Sequence, residues 1–414
     1  MTLNPIFQSR WLALSALLLA MVWPAHADET GDELFHFQAN VYPEWLYSNF
    51  GSPSASGTDV GNMGTVRNDR TTLSSNATFT TSTSDHAWSN SYVGLRGVKR
   101  IDEVVYGYDF QVVMDLQKDM LRQADTRDFF LYAETDKLGR LSYGKMDSIY
   151  KEFGDRVRIL GVSPSNVSST SQVQSGVGWK AKGGTSFYNR RNKMLTWYSP
   201  NVDGFEAGVS HSWDDAGNVG PDPTLSAVAL RWSNKSYYAS FQVEEHRNWL
   251  PLSYNNTSAA STTILNMPAN TKSRDTGYRV SLGWNVDRLR LGTDIAALDY
   301  TESTDIATAG RFRNYRNMTW QVSAEYAWDP QLKLAANYAQ GSAGSCELSG
   351  NVACSTTGLG GDQTTLGASY RVLPHASFFG LMVRMRNNPA SYYGSSAQGA
   401  DVNSLALGIR IDYP

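Results

Sequence analysis

The sequence predicts an all-β protein, a closed antiparallel transmembrane β-barrel of about 16 strands. Three observations carry that prediction. Apolar and polar residues alternate in segment after segment, the period-2 pattern of strands whose two faces meet different surroundings. No long stretch keeps the i, i+3, i+4, i+7 spacing of an amphipathic helix. The 414-residue chain is also rich in aromatics, with 22 Tyr and 12 Trp, yet its mean hydropathy is only −0.38. That combination suits a protein with water on one face and a membrane interface on the other.

Residues 1–27 read as a cleaved secretory signal peptide. Arg10 precedes the apolar run WLALSALLLAMVW, and Ala25-His26-Ala27 has the small-residue pattern of a cleavage site. The apolar run, about 13 residues, is short of the roughly 20 that a spanning helix needs. A single barrel domain then covers residues 28–414. It carries 35 basic and 39 acidic side chains, a near balance that gives no electrostatic case for a nucleic-acid partner.

The strands follow in order. In FEAGVSHSW (205–213), Phe205, Ala207, Val209, His211 and Trp213 share one face, and Glu206, Gly208, Ser210 and Ser212 share the other. Leu289, Leu291, Ile295 and Ala297 oppose Arg288, Arg290, Gly292 and Asp294. Trp320, Val322, Ala324, Tyr326 and Trp328 oppose Gln321, Ser323 and Glu325. Phe379, Leu381, Val383 and Met385 are expected to face lipid, opposing Gly380, Arg384 and Arg386, with Met382 out of phase. Leu405, Leu407, Ile409, Ile411 and Tyr413 oppose Ala406, Gly408, Arg410 and Asp412. Short turns are expected near 99–102, 135–139, 201–204, 233–235, 285–288, 329–330 and 373–375. Longer loops lie near 50–86, 118–125, 148–186, 214–223, 249–273, 302–313, 344–361 and 389–401. Short turns on one side and long loops on the other mark an outer-membrane barrel, because only a closed sheet leaves no polar edge in hydrocarbon. Tyr42, Trp45, Trp197, Tyr198, Trp213, Trp232, Trp284, Tyr300 and Trp328 near strand ends read as interfacial girdles.

A barrel of this size encloses an aqueous lumen. Loop 148–186, after strand 5, holds Ile159, Leu160, Val162 and Val173, which a fully solvated loop has little use for. It is expected to fold inward and narrow the lumen, the alternative being an ordinary surface loop. Asp147, Glu152 and Asp155 open this region. From Arg156 to Val202 there is no acid, against Arg156, Arg158, Lys180, Lys182, Arg190, Arg191 and Lys193, so a positive field is expected. Asp109, Asp294 and Glu325 on inner faces dilute it. Cys346 and Cys354, eight residues apart in a Ser/Gly-rich loop of an exported chain, read as a disulfide rather than a metal site or two free thiols. No metal-ligand, P-loop or nucleophile-elbow pattern occurs, and no cofactor is expected. His211 beside Ser210 and Ser212 is the one weak hint of a hydrolase.

Four stretches carry a family resemblance. SYVGLRG (91–97), YGYDFQVVMDL (106–116), TRDFFLYAETDKLGRLSYGK (126–145) and RRNKMLTWYSPNVDGFEAGVS (190–210) resemble, in order and spacing, strand segments of the Gram-negative general porins. The resemblance runs over essentially all of 28–414. It implies a homotrimeric diffusion channel of the outer membrane, set among lipid and lipopolysaccharide and inserted by the barrel-assembly machinery. It also implies passage of small hydrophilic solutes and ions and no enzymatic activity; the basic run 156–193 adds an expected mild anion preference. In such channels basic wall residues face acids of the inward loop. Arg96, Arg127 and Arg191, with Arg190 beside it, resemble the wall residues, and Asp147, Glu152 and Asp155 take the acidic side. The chain departs from the family pattern at Gln38 and Tyr92, where basic residues are usual, and at its last residue, Pro414, where an aromatic is usual. A second reading is a substrate-specific channel using Trp179, Phe187 and Tyr188.

Overall fold

The structure, a computed structural model, describes residues 32–55, 58, 82–87, 91–114, 125–157, 173, 187, 190–213, 222–248, 272–303, 312–350, 353–394 and 397–413. Among the described residues, 19 hydrogen-bonded segments form one antiparallel sheet. Three strands are each built from two of them, so the ring has 16 strands.

Strand β1 runs Glu33–Val41 and Glu44–Phe50, interrupted at Tyr42-Pro43, where proline has no N–H to offer the ladder. Strand β2 runs Ser82–Ala87 and Tyr92–Ile101. Strands β3 (Val104–Val113), β4 (Thr126–Thr135), β5 (Gly139–Met146), β6 (Arg191–Tyr198) and β7 (Phe205–Trp213) follow. Next come β8 (Thr224–Ser233), β9 (Tyr237–Arg247), β10 (Lys272–Val286), β11 (Leu289–Ser303) and β12 (Phe312–Ala327). Strand β13 runs Leu332–Gly341 and Ser345–Leu348, both halves pairing with β12. Strands β14 (Gly361–Leu373), β15 (Ala376–Asn387) and β16 (Val402–Tyr413) complete the set. Each strand pairs with its chain neighbours, and β16 returns to β1 through Ala39↔Tyr413, Val41↔Ile411 and Trp45↔Leu407, closing the ring.

All seven short turns fall where the sequence places them, at 102–103, 136–138, 199–204, 234–236, 287–288, 328–331 and 374–375. The last long loop but one is shorter than expected, because Ser345–Leu348 continue β13. Cys346 on β13 and Cys354 in the loop that follows are bonded to each other, with Cα atoms 5.8 Å apart, so neither thiol is free for metal.

Alternation sorts the faces. On β7, Phe205, Val209, His211 and Trp213 are exposed outward, while Gly208, Ser210 and Ser212 are buried inside. The outer faces of β10, β11 and β12 present Val280, Ile295 and Trp320 side by side, the surface expected to meet hydrocarbon.

Two expectations are corrected. Phe379, Leu381, Val383 and Met385 point inward and are almost fully buried, while Phe378 and Met382 face out. The reason is that this part of the lumen is packed: Phe379 and Leu381 cluster with Tyr42 and Ala406, and Met385 with Val173, Tyr393 and Val402. Arg384 and Arg386 are consequently on the outer face toward the long-loop end, where Arg386 pairs with Asp362 at 3.0 Å. Among the girdle aromatics, Tyr42, Tyr198 and Tyr300 are buried inside the barrel. Trp45, Trp197, Trp213, Trp284 and Trp328 are exposed on its outer face.

A charge on the outer belt has no aqueous partner. Val280→Arg is expected to lower folding stability by about 2–4 kcal/mol, read from urea titration of the protein folded into lipid vesicles.

Candidate pore constriction

Strand β5 ends at Met146, and the chain turns into the barrel as helix α1 (Ile149–Gly154) followed by a 3-10 turn, Asp155–Val157. Ile149, Tyr150 and Phe153 supply a fully buried apolar face that lies against the inner surfaces of β8, β9 and β10. The wall has room for them because its facing positions are small. Gly208 lies under Ile149, and Gly277 under Tyr150 and Phe187; an added Cβ at Gly277 would come within 2.9 Å of the Phe187 ring.

Polar contacts fix the segment along its length. The hydroxyl of Ser148 donates to Glu244, which also contacts His246 Nε2 at 2.9 Å. The Ile149 N–H donates to Ser210 Oγ at 3.2 Å. Tyr238 donates its hydroxyl to the Phe153 carbonyl at 2.5 Å, and Ser323 to that of Val157 at 3.2 Å. The main anchor is Arg279 on β10, which is fully buried. Its guanidinium forks onto Asp294 of β11, with Nε 2.8 and 2.9 Å from the two oxygens, and reaches Asp155 at 3.3 Å. Ser281 and Gln321 also donate to Asp294. Gly154 lets the guanidinium lie against the end of the helix, since a Cβ there would sit 2.2 Å from its central carbon.

The opposite side of the segment faces β2–β6. There the charges form an alternating chain. Arg127 is 3.6 Å from Asp128, Asp128 is 2.7 Å from Arg190, Arg190 is 3.3 Å from Asp147, and Asp147 is 2.8 Å from Lys151. Burial by itself would raise the Asp147 carboxyl, but Lys151 and Arg190 outweigh it and hold it below its ordinary 3.8. Glu152 differs. Burial dominates and pushes its carboxyl above the ordinary 4.5, although Tyr198 donates a hydrogen bond to it and Arg140 lies nearby. The Arg140 guanidinium is stacked 4.3 Å over the Tyr198 ring, Arg127 lies 4.5 Å over Tyr92, and Arg231 lies 4.3 Å over Phe153.

The residues singled out in the sequence therefore divide. Arg127, Arg190 and Asp147 come together through Asp128, and Glu152 contacts Tyr198. Arg96 stands on the same wall, opposite Asp109 in strand register. Arg156 is exposed in the lumen, and its carbonyl accepts from Arg290. Arg191, by contrast, is buried beside Met146. Asp155 contacts Arg279 at 3.3 Å and so also belongs to the anchor. Arg158, Lys180, Lys182 and Pro414 lie outside the described residues. Asp128, Arg140, Lys151 and Arg279 were missed. For Asp128 the signal was its position beside Arg127, which lets one carboxylate serve two arginines. The departures also acquire roles: Tyr92 lies beneath Arg127, and Gln38 donates to Asp109 at 2.6 Å.

The sequence pattern of Gram-negative porins matches residues 15–409 of the chain. No curated protein matches. Solved structures with a similar fold include an anion-selective porin from Comamonas acidovorans, at TM-score 0.64 and 12 % identity, covering 92 % of this chain and 99 % of that one. OmpT of Vibrio cholerae aligns at TM-score 0.59 and 10 % identity, over 92 % of this chain and 97 % of its own. OmpF of Salmonella typhi in complex with daunomycin aligns at 0.55 and 11 %, over 91 % and 97 %.

Two outcomes are expected. Arg279→Met leaves the Asp294 carboxylate buried without its cation and should cost about 3–5 kcal/mol in urea unfolding. Because Glu152 is neutral below its raised pKa, the lumen gains negative charge as pH climbs through and above the ordinary glutamate range. Anion preference should fall over that window in reversal-potential measurements, and Glu152→Gln should flatten the fall.

Proposed function

The chain belongs to the Gram-negative porin family, and from that premise we propose that it conducts small hydrophilic solutes and ions by passive diffusion, with a mild anion preference. It is an outer-membrane porin channel. The observation that carries the detailed reading is the segment 149–157 seated on the inner wall of β8–β11, which leaves the passage on the side of β2–β6.

In this reading Arg96, Arg127 and Arg190 line the wall, and Asp147 and Glu152 line the loop. Their charges are largely paired, so the passage screens a solute of either sign without holding it. A weak preference set by the residual charge is what such pairing supports. Phe187 supports a general passage over a solute-binding one, because it is buried and stacked on His246 at 4.5 Å between centroids. Residues 1–27 act as the signal for export, residues 28–414 form the barrel, and three copies associate in a bilayer containing lipopolysaccharide after insertion by the assembly machinery. No catalytic step is assigned to the chain, and the Porin family and fold are those of channels.

The test is planar-bilayer recording of the purified protein across a KCl gradient. Stepwise insertions of uniform conductance with a modestly anion-selective zero-current potential are expected. Absence of conductance from folded protein would overturn the reading. Asp128→Asn, which frees Arg127 and Arg190 from their shared carboxylate, should move that potential further toward anions.

A further inference from the structure

The short-turn end of the barrel, where the channel would open on the periplasmic side, holds a second concentration of charge. A cavity of about 470 Å³ lies between the inner faces of β11–β16. Its lining carries four cations, Arg290, Lys333, Arg371 and Arg410, against two acids, Glu325 and Asp412, with His375 at its edge.

The acids are already taken. Lys333 is 3.3 Å from Glu325, and Arg410 pairs with Asp412. Arg290 stands directly across from Glu325 in strand register, yet its guanidinium turns to the main-chain carbonyl of Arg156 at 2.5 Å. Arg371 donates to the Pro330 carbonyl at 2.7 Å. Carbonyl oxygens orient a guanidinium without cancelling its charge. Two cations thus line one cavity with no carboxylate among the described residues within ion-pair distance of them, and each has further N–H donors to spend on a ligand.

We propose that this cavity is a binding site for a small dianion, such as inorganic phosphate or a short dicarboxylate, at the periplasmic mouth. Two fixed guanidinium groups match the charge of a dianion and present the planar N–H forks that carboxylate and phosphate oxygens accept. The site is open to water, so binding is weak and quickly reversible, a condition for a solute that must leave again. The inference rests on the channel reading and adds, at this mouth, a second source of anion preference to the residual charge of the constriction.

The experiment adds phosphate, at a pH where it is a dianion, to one face of oriented single channels conducting KCl. Saturable loss of chloride current is expected at lower phosphate concentration from the periplasmic face than from the extracellular face. Acetate at equal ionic strength should have little effect. In Arg290→Gln/Arg371→Gln the half-blocking concentration should rise about tenfold. Asp362→Asn/Arg386→Gln removes a compensated pair outside the cavity and should leave the block unchanged, which separates the effect of the two arginines from that of any paired charge. Equal block from both faces, equal block by acetate, or an unchanged half-blocking concentration in the arginine double variant would overturn the site. Channels that conduct KCl but ignore phosphate would sink this inference alone, whereas folded protein that never conducts would sink the channel reading.

Discussion

Hydrocarbon offers a peptide group no hydrogen-bond partner, and every other property of this molecule is arranged around that fact. A strand crossing a bilayer must pair on both edges, so the sheet has to close, and β16 meets β1. Closure in turn forces each strand to show one face to lipid and the other to an enclosed space. The alternation of Trp320 and Val322 against Gln321 and Ser323 is the chemical record of that division. The enclosed space then accommodates a stretch of chain, 149–157, in a short helix and turn whose end groups need polar partners that hydrocarbon would not supply.

Holding that stretch in place requires ions away from solvent. Arg279 and Asp294 are both removed from water, an arrangement whose desolvation cost is met only by good geometry and by satisfying the remaining lone pairs. Ser281 and Gln321 do the latter on Asp294, while Asp155 ties the inward segment to the pair. The anchor is therefore also a register mark, fixing which side of α1 faces the wall and which presents Glu152 and Lys151 to the passage.

Much of this was legible in the residues themselves. The turns, the strand count and the inward path after β5 follow from local patterns: proline, glycine, asparagine and aspartate at corners, period-2 alternation between them, and apolar residues in a loop that had no outer surface to bury. What escaped depends on contacts distant in sequence. Alternation says that two faces differ but not which one is inside. On β15 the apolar face was assigned to lipid, whereas Val173 and Tyr393 from the loops make the interior apolar there. Tyr198 and Tyr300 escaped for the same reason, because an aromatic near a strand end suits either a membrane interface or a packed lumen. Asp155 and Glu152 have similar chemistry, and only contacts distant in sequence give one of them Arg279 as a partner and the other Tyr198. Charge counting along 156–193 likewise could not see that Asp128, far outside that run, pairs with Arg190.

The seam between β1 and β16 also has a kinetic meaning. It joins residues 33–50 to residues 402–413, the greatest sequence separation the fold contains. No chain lacking residues 402–413 can form it, so the cylinder cannot shut until that segment has been exported. Until then the first strand has an unpaired edge facing the periplasm, with Phe37, Trp45 and Tyr47 along it, a template for mispairing with other chains. Pairings of such high contact order form slowly because loop-closure entropy is lost before the contacts reward it. The time spent open is thus set by topology, and the cell must shelter the chain throughout that interval.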